Sequence, residues 1–324
     1  MGKDFVKNMI FKKNDVFRYL RDKKIFRKYT ILGMKTGLSN NNYIIESYGK
    51  KYLVRSNKNK ANKLTNILKN EHYVLRFLEK RKIKFVPKSI FYDEKNNVHV
   101  LTYLDGRKCK FKNVSYSGME QAVSKLHQIN ELAGEYTLFC REQKIKVFKP
   151  RCVIDDVRDQ AIHLISQIKK DNIFFANKKW VLKSLEKDFE NYKPNKKKIF
   201  LNHGDPSDNL ILHNKNIYII DWEYTKFTYG PGLSHILAYS RIDKKKEKKL
   251  LEYYAEISGF DLGELKYRTY YEKLMHYILK VSKVCYKAQT NKFFSKEDIR
   301  INRGNIEIMK NNYLKLKKTL TFFK

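Results

Sequence analysis

The sequence contains few of the residues that break a chain or anchor it in a membrane. Its 324 residues include only 5 prolines and 13 glycines, and no internal repeat or low-complexity linker is present. No apolar run reaches the ~18 residues of a membrane-spanning helix, and the start at Met1–Asp4 has no apolar signal core. These absences favour a soluble cytoplasmic protein, which we expect to be a monomer or a homodimer.

Cysteine is scarce as well. The four cysteines are Cys109, Cys140, Cys152 and Cys285. They are widely scattered and form no CxxC pair, which argues against a disulfide framework and against a zinc site. We interpret them as reduced thiols with a structural role.

Acidic residues are few in comparison with basic ones. The chain has 34 Asp and Glu against 69 Lys and Arg, which gives a formal net charge of +35. Such an excess suits nucleic acid, an acidic membrane surface or anionic substrates. The lysines, however, lie in short runs along the whole chain, and the accompanying abundance of Asn, Ile, Tyr and Phe is typical of an AT-rich genome. We therefore do not expect a nucleic-acid partner.

The chain has enough apolar residues for a substantial core, with 42% hydrophobic and 14% aromatic residues. Alternation and turn signals predict strands at residues 29–34, 42–47, 52–56, 89–92 and 98–104. A 3.6-residue period predicts a helix over residues 64–80. The remaining chain is mainly helical, with one β-hairpin at residues 209–221. We predict an α+β protein with two lobes: residues 1–105, an antiparallel sheet with one key helix, and residues 106–324, mainly helical.

The strongest chemical signal is the loop from His203 to Asn209, followed by Asp221 at the end of the predicted hairpin. Phosphoryl transfer requires a carboxylate near the attacking hydroxyl and oxygen ligands for the Mg²⁺ that bridges the nucleotide phosphates. We predict that Asp205 is the catalytic base and that Asn209 and Asp221 bind the metal. Each residue alone would suit a turn or a cap, and the prediction depends on their order around one hairpin.

A second signal lies in the first hundred residues. Glycines and small polar residues between Gly33 and Tyr43 would let backbone N–H groups approach phosphate oxygens. On a later strand, Arg55 is followed by Glu71 on the predicted helix, and such a pair can hold nucleotide phosphates. Taken alone, a glycine-bearing turn and two surface charges would explain these features equally well.

In this order the motifs resemble those of the choline/ethanolamine kinases and the related aminoglycoside phosphotransferases. The segments that carry the resemblance are Gly37–Tyr43, Tyr52–Arg55, Glu71, Leu126-His127 and Ile220–Tyr224. They extend over roughly two-thirds of the chain, from about residue 29 to residue 239, and are closest to choline kinases. The resemblance implies a protein-kinase-like fold.

The resemblance also implies ATP as co-substrate, Mg²⁺ as metal and a small-molecule alcohol as acceptor. It assigns nucleotide binding to Gly37, Ser39, Asn40, Asn42, Arg55 and Glu71, and adenine binding near Thr102 and Leu104. It gives His203 a role in bracing the loop rather than in proton transfer.

Three departures from the family pattern bear on activity and substrate. Asn209 follows Asp205 by four residues instead of the usual five, and the stretch Leu233–Ala238 lacks the carboxylate that usually braces the loop. The late helix at residues 272–289 offers Tyr277 and Tyr286. Its lysines are Lys273, Lys280, Lys283 and Lys287. These lysines either face solvent or would repel a cationic substrate. We therefore expect the acceptor to be a neutral or anionic alcohol or sugar rather than choline. The alternatives are an aminoglycoside-type phosphotransferase and a catalytically silent binding or structural protein of this fold.

Overall fold

The computed structural model describes residues 13–36, 40–57, 67–147, 149–189, 192–193, 195–240, 242–290 and 296–320. The chain forms two compact units. The first contains the chain up to Cys109 together with Asn209–Thr225, and the second contains Lys110–Asp208 together with Lys226–Lys324. The predicted assignment of nucleotide binding to residues 1–105 and of acceptor binding to residues 106–324 stays a prediction.

The predicted α+β class is confirmed, with an antiparallel sheet near the N-terminus and a mainly helical remainder. The strands are β1 (Thr30–Thr36), β2 (Asn40–Ser47), β3 (Lys50–Asn57), β4 (Ser89–Asp93), β5 (Val98–Thr102), β6 (Arg107–Cys109), β7 (Phe200–Asn202), β8 (Leu210–His213), β9 (Asn216–Ile219) and β10 (Lys226–Thr228). The helices are α1 (Lys13–Asp22), α2 (Ile67–Lys80), α3 (Tyr116–Asn130), α4 (Ala133–Glu142), α5 (Val153–Ser166), α6 (Phe175–Lys187), α7 (Leu233–Ser240), α8 (Lys244–Ser258), α9 (Leu262–Thr290) and α10 (Lys296–Leu320).

The first unit is built on a five-stranded sheet in the order β1-β2-β3-β5-β4, with every neighbouring pair antiparallel. Alternation buries Tyr43 and Ile45 of β2 on one face, as expected for a sheet with one face in the core. Helix α2 buries Glu71, Val74 and Leu78, the face that its 3.6-residue period predicts. A smaller sheet, β6-β8-β9, belongs to the same unit and contains the predicted hairpin.

The second unit is organised around the 29-residue helix α9, which contacts α5, α6, α7, α8 and α10. Leu274, Ile278 and Val281 of this helix are buried in its core. The ends of α8 follow from the sequence: the Asp243 side chain accepts a hydrogen bond from the backbone of Lys246, and Gly259 ends the helix in a left-handed conformation. Among the described residues, no helix combines the length and apolar character needed to cross a membrane.

Three strands were missing from the sequence prediction, namely β6, β7 and β10. Each has only three residues, so none is long enough to show an alternating pattern. The first three residues of the helix predicted over 64–80 lie outside the described residues. All four cysteines are buried and free.

Candidate active site

The first unit contains a buried ion cluster centred on Arg55 of β3. Its guanidinium donates to the Glu71 carboxylate of α2, to Asp221 Oδ1 at 3.0 Å and to Glu223 Oε2 at 2.9 Å. The Glu71 side chain is completely buried, and those of Arg55 and Glu223 are nearly so. Strand β3 and helix α2 therefore bring together the two residues that the sequence predicted as a pair.

The carboxylates of this cluster differ in how easily they ionise. Burial alone would raise the pKa of Glu71, but the charge of Arg55 and a hydrogen bond from His99 lower it to about 2. Burial, and then the charge of Asp221, raise the pKa of Glu223 to about 7, although Arg55 acts in the opposite direction. Arg55 is thus held by a fully ionised partner and by one that titrates near neutrality.

A chain of buried polar side chains supports Glu71 from behind. His99 Nδ1 lies 3.3 Å from Glu71 Oε2, Ser89 Oγ lies 2.9 Å from His99 Nε2, and His72 Nδ1 lies 2.7 Å from Ser89 Oγ. Burial lowers the pKa of both histidines, and that of His72 falls to about 4. One set of neutral tautomers satisfies all three hydrogen bonds. In it His99 Nδ1–H donates to Glu71, the Ser89 hydroxyl donates to His99 Nε2, and His72 Nδ1–H donates to Ser89 Oγ. Sequence reasoning missed His99, because one histidine in an apolar strand is typical of a core position.

The two predicted metal ligands lie at the same end of the β8–β9 hairpin. The Asn209 carbonyl accepts a hydrogen bond from the backbone of Ile220 at 3.0 Å, and Leu210 pairs with Ile219. Asp221 has a left-handed backbone (φ 69°), which is uncommon for a residue with a side chain and typical of functional turns.

An oxygen set of one carboxylate and one amide suits Mg²⁺, which usually takes one or two carboxylates and completes its shell with water and phosphate oxygens. Asn209 Oδ1 lies 3.3 Å from Lys108 Nζ, so this oxygen is positioned as an acceptor for a cation. Asp221 keeps 29% of its side chain exposed. Among the described residues, no group of three or more His, Cys, Asp or Glu side chains is arranged to hold a metal. The oxygen atoms of Asn209 and Asp221 are of the chemical type that Mg²⁺ prefers.

The other residues predicted to bind nucleotide have mixed outcomes. Gly37 and Ser39 lie outside the described residues. Asn40 is buried and donates to Glu223 Oε2 at 3.1 Å, which places it in the Arg55 cluster. Asn42 lies opposite Arg55 in the β2–β3 pairing.

The residues predicted near the adenine lie at and beyond the end of β5. Thr102 exchanges hydrogen bonds with the backbone of Lys88, through its own backbone N–H and its side-chain hydroxyl. Leu104 follows the end of the strand and is half-buried. Its assignment to adenine stays a prediction.

In the second unit, Asp205 lies on the loop that follows β7. Its side chain is 44% exposed, and its backbone N–H donates to Nδ1 of the buried His203 at 3.2 Å. Gly204 supplies a positive φ of 88° at this turn. His203 therefore contacts the loop backbone, as expected of a bracing residue.

Neutral amides brace the strand that leads into this loop. Asn202 donates to Thr228 Oγ1 and to the Gly230 carbonyl, and Asn130 donates to Asn202 Oδ1 at 2.9 Å. Gly232 has a φ of 68°, and a Cβ there would lie 2.4 Å from Asn202 Oδ1. In the stretch that lacks the family's carboxylate, His235 instead brings its Nε2 to 3.8 Å from Asp205 Oδ1.

The lysines of α9 do not share one role. Lys273 is buried and forms an ion pair with Glu247 of α8, so the expectation that it faces solvent was wrong. Lys280 donates to the Ala238 carbonyl at 2.6 Å and lies over the rings of Tyr239 and Tyr277. Lys283 and Lys287 are exposed, which agrees with the alternative that lysines of this helix face solvent.

Comparison with known proteins gives consistent results. A family model described as "Phosphotransferase enzyme family" matches residues 30–229. No curated protein sequence matches the chain.

Among solved structures, the choline kinase LicA from Streptococcus pneumoniae has a TM-score of 0.62 at 17% identity, covering 92% of this chain and 99% of its own. A choline/ethanolamine kinase family protein from Mesorhizobium loti has a TM-score of 0.64 at 15% identity, with 95% and 98% covered. Spectinomycin phosphotransferase APH(9)-Ia, in complex with ADP and spectinomycin, has a TM-score of 0.59 at 15% identity, with 93% and 98% covered. These similarities confirm the predicted kinase-like fold.

Proposed function

The chain belongs to the phosphotransferase enzyme family, and on that premise we propose that it transfers the γ-phosphoryl group of ATP, with Mg²⁺, to a hydroxyl of a small molecule. The observation that carries this proposal is the buried cluster of Arg55, Glu71, Asp221 and Glu223. Burying a cation among several carboxylates is costly, and ionisable groups with strongly shifted pKa values cluster at functional sites. The ADP complex of the similar spectinomycin phosphotransferase supports a nucleotide as donor.

We assign a role to four side chains of the first unit. Arg55 binds the nucleotide phosphates, and Glu71, fixed by His99 and by the backbone N–H of Trp222 at 3.2 Å, orients the guanidinium. Asp221 and Asn209 would hold the metal through their oxygen atoms. When bound, Mg²⁺ neutralises the charge that develops on the phosphate oxygens.

Asp205 of the second unit is the proposed base. Its exposed carboxylate accepts the proton of the acceptor hydroxyl while the hydroxyl oxygen forms a bond to the γ-phosphorus. The bond between that phosphorus and the β,γ-bridging oxygen breaks, and the products are ADP and a phosphate monoester. Burial lowers the pKa of His235 to about 3, so its imidazole is neutral beside Asp205.

The test uses two variants with a matched control in the same loop. We expect Asp221→Asn to abolish Mg²⁺-dependent ADP release, and Asp205→Asn to lower turnover by about 10²–10⁴-fold without weakening ATP binding. Asp208→Asn is the control, because Asp208 is exposed in the same loop and pairs only with Lys110 among the described residues. Turnover and ATP–Mg²⁺ thermal stabilisation are measured with a panel of alcohols and sugars.

The outcomes separate the proposal from its alternatives. Full activity in both variants would mean that the site lies elsewhere. Thermal stabilisation by ATP–Mg²⁺ without phosphate transfer to any acceptor would favour the silent binding protein, and transfer to aminoglycosides alone would favour the aminoglycoside-type activity.

A further inference from the structure

The surface of the second unit beside Asp205 contains a cation and two aromatic rings in a fixed arrangement. The imidazole of His235 stacks on the ring of Tyr239, with centroids 4.4 Å apart and an interplanar angle of 14°. The ammonium of Lys280 lies 4.1 Å from the centroid of the same tyrosine ring and 5.4 Å from that of Tyr277. Burial, and then the charge of the Asp205 carboxylate, raise the pKa of the Tyr239 phenol. His235 and Tyr239 of α7 therefore lie near the proposed base, and Lys280 of α9 lies over the ring of Tyr239.

The ammonium of Lys280 occupies the position over the aromatic rings in which a cationic substrate would bind. A quaternary ammonium group binds over the faces of aromatic rings, at the distances that Lys280 has from Tyr239 and Tyr277. Lys280 is fixed there by its hydrogen bond to the Ala238 carbonyl at 2.6 Å. A cationic acceptor would have to displace this lysine and would then lie beside a like charge, which is strongly unfavourable at short distance.

The charges around this position are mostly positive. Burial, and then the charges of nearby lysines, lower the pKa of His235 to about 3. Burial, and then His235 and the same lysines, lower the pKa of His276 well below its usual value, so both imidazoles are neutral. The lysines concerned are Lys226, Lys280 and Lys283. Lys226 pairs with Asp156, whereas Lys283 forms no ion pair with any residue that the structure describes. The nearby Glu272 is buried, and burial raises its pKa to about 7 despite Arg268.

A small cavity lies behind the loop. This cavity of about 40 Å³ is lined by His235, His276 and Gly204, among others. A space of this size holds only about two or three water molecules. We place the acceptor instead on the exposed side of Asp205, whose charge acts on Lys283.

We propose that the acceptor is an anionic alcohol, a hydroxyl compound that also carries a phosphate or carboxylate group, and that Lys283 and Lys280 hold this group while Asp205 receives the hydroxyl. This inference rests on the proposed phosphotransferase function. It deepens that function by naming the substrate class and two residues that determine specificity.

The experiment compares matched acceptors with the full chain. ADP release is measured with glycerol, glycerate, glycerol phosphate and choline, each in the presence of ATP and Mg²⁺. We expect the value of kcat/KM for the better of the two anions to exceed those for glycerol and choline by at least about tenfold, the effect of one charge-assisted contact. The comparison of glycerate with glycerol phosphate distinguishes carboxylate from phosphate. A higher kcat/KM for choline or glycerol than for both anions would overturn the proposal.

Lysine variants test the specificity residues. Lys283→Ala and Lys280→Ala should each raise the ratio of KM for the preferred anion to KM for glycerol about tenfold. Lys245→Ala removes the same charge from an exposed position on α8 and serves as control. An equal effect of all three variants, or none from Lys283→Ala, would contradict the assignment.

A binding measurement keeps the inference separate from the proposed function. Calorimetric titration of inorganic phosphate, with the nucleotide site saturated by ADP and Mg²⁺, should show binding to the wild type and weaker binding to Lys283→Ala. Failure of ATP–Mg²⁺ to stabilise the protein would refute the kinase proposal, whereas nucleotide binding without any anion binding would refute only the substrate class.

Discussion

Glu223 is the residue of the Arg55 cluster whose removal should stabilise the protein, and only at neutral and alkaline pH. Its pKa is about 7 in the folded chain and 4.5 in a free side chain. Since the folded pKa is the higher one, the associated stability is fully present below pH 4.5 and is lost as the pH rises through 7. The loss amounts to about 3 kcal/mol at most. Glu223→Gln should not lose stability in this way, because its side chain does not ionise and its amide oxygen can still accept hydrogen bonds from Asn40 and Arg55.

We therefore expect the free energy of unfolding of Glu223→Gln, relative to wild type, to increase by about 2–3 kcal/mol between pH 4.5 and pH 8. The chain has two tryptophans, and Trp222 is completely buried beside Glu223. In a Trp180→Phe background, the fluorescence of Trp222 reports urea unfolding of the first unit alone. Glu46→Gln on β2 removes a carboxylate of the same unit outside the cluster and serves as the control. A difference from wild type that stays constant with pH would refute the reasoning.

Three further substitutions probe the packing that supports the site, each measured by urea unfolding. Gly232→Ala should lower the free energy of unfolding by about 2 kcal/mol, because a Cβ at this positive φ would meet Asn202; an unchanged value would mean that the loop adjusts freely. Lys273→Met should cost about 3 kcal/mol by leaving Glu247 buried without its cation, and adding Glu247→Gln should recover part of that loss. His99→Phe should cost about 2 kcal/mol through the lost bonds to Glu71 and Ser89, and a value near zero would exclude a positioning role.

The parts of the fold that were predictable are those whose signal is local. The alternation of β2 and the 3.6-residue period of α2 repeat over eight residues or more, which suffices to identify each element and its buried face. The predicted pairing of Arg55 with Glu71 came instead from the chemistry of phosphate binding and from the family resemblance. Strands of three residues carry no such pattern, and they form here because a longer partner or a neighbouring loop supplies their hydrogen bonds.

The composition of the Arg55 cluster was only partly predictable. The family resemblance pointed to Arg55, Glu71 and Asp221, but Glu223 was assigned no role. Its carboxylate reaches Arg55 because the left-handed backbone of Asp221 turns the chain into a short 3₁₀ helix, so that both acidic side chains meet the same guanidinium. His99 joins through a strand pairing that places it opposite Arg55, and this register is a property of the sheet rather than of either strand.

The lysines of α9 show why net charge is a poor guide to the ligand of this protein. Lys273 and Lys280 are seven residues apart and so lie within about 20° of each other around the helix. Their surroundings nevertheless differ, because Glu247 of α8 neutralises the first while the rings of Tyr239 and Tyr277 hold the second. Lys283, three residues further on, forms no ion pair within the described part of the chain. A sequence that shows four lysines on one helix cannot distinguish these cases, since the distinction comes from the two neighbouring helices. The expectation of an anionic acceptor therefore depends on Lys280 and Lys283 and would stand unchanged if the remaining surface charge were removed.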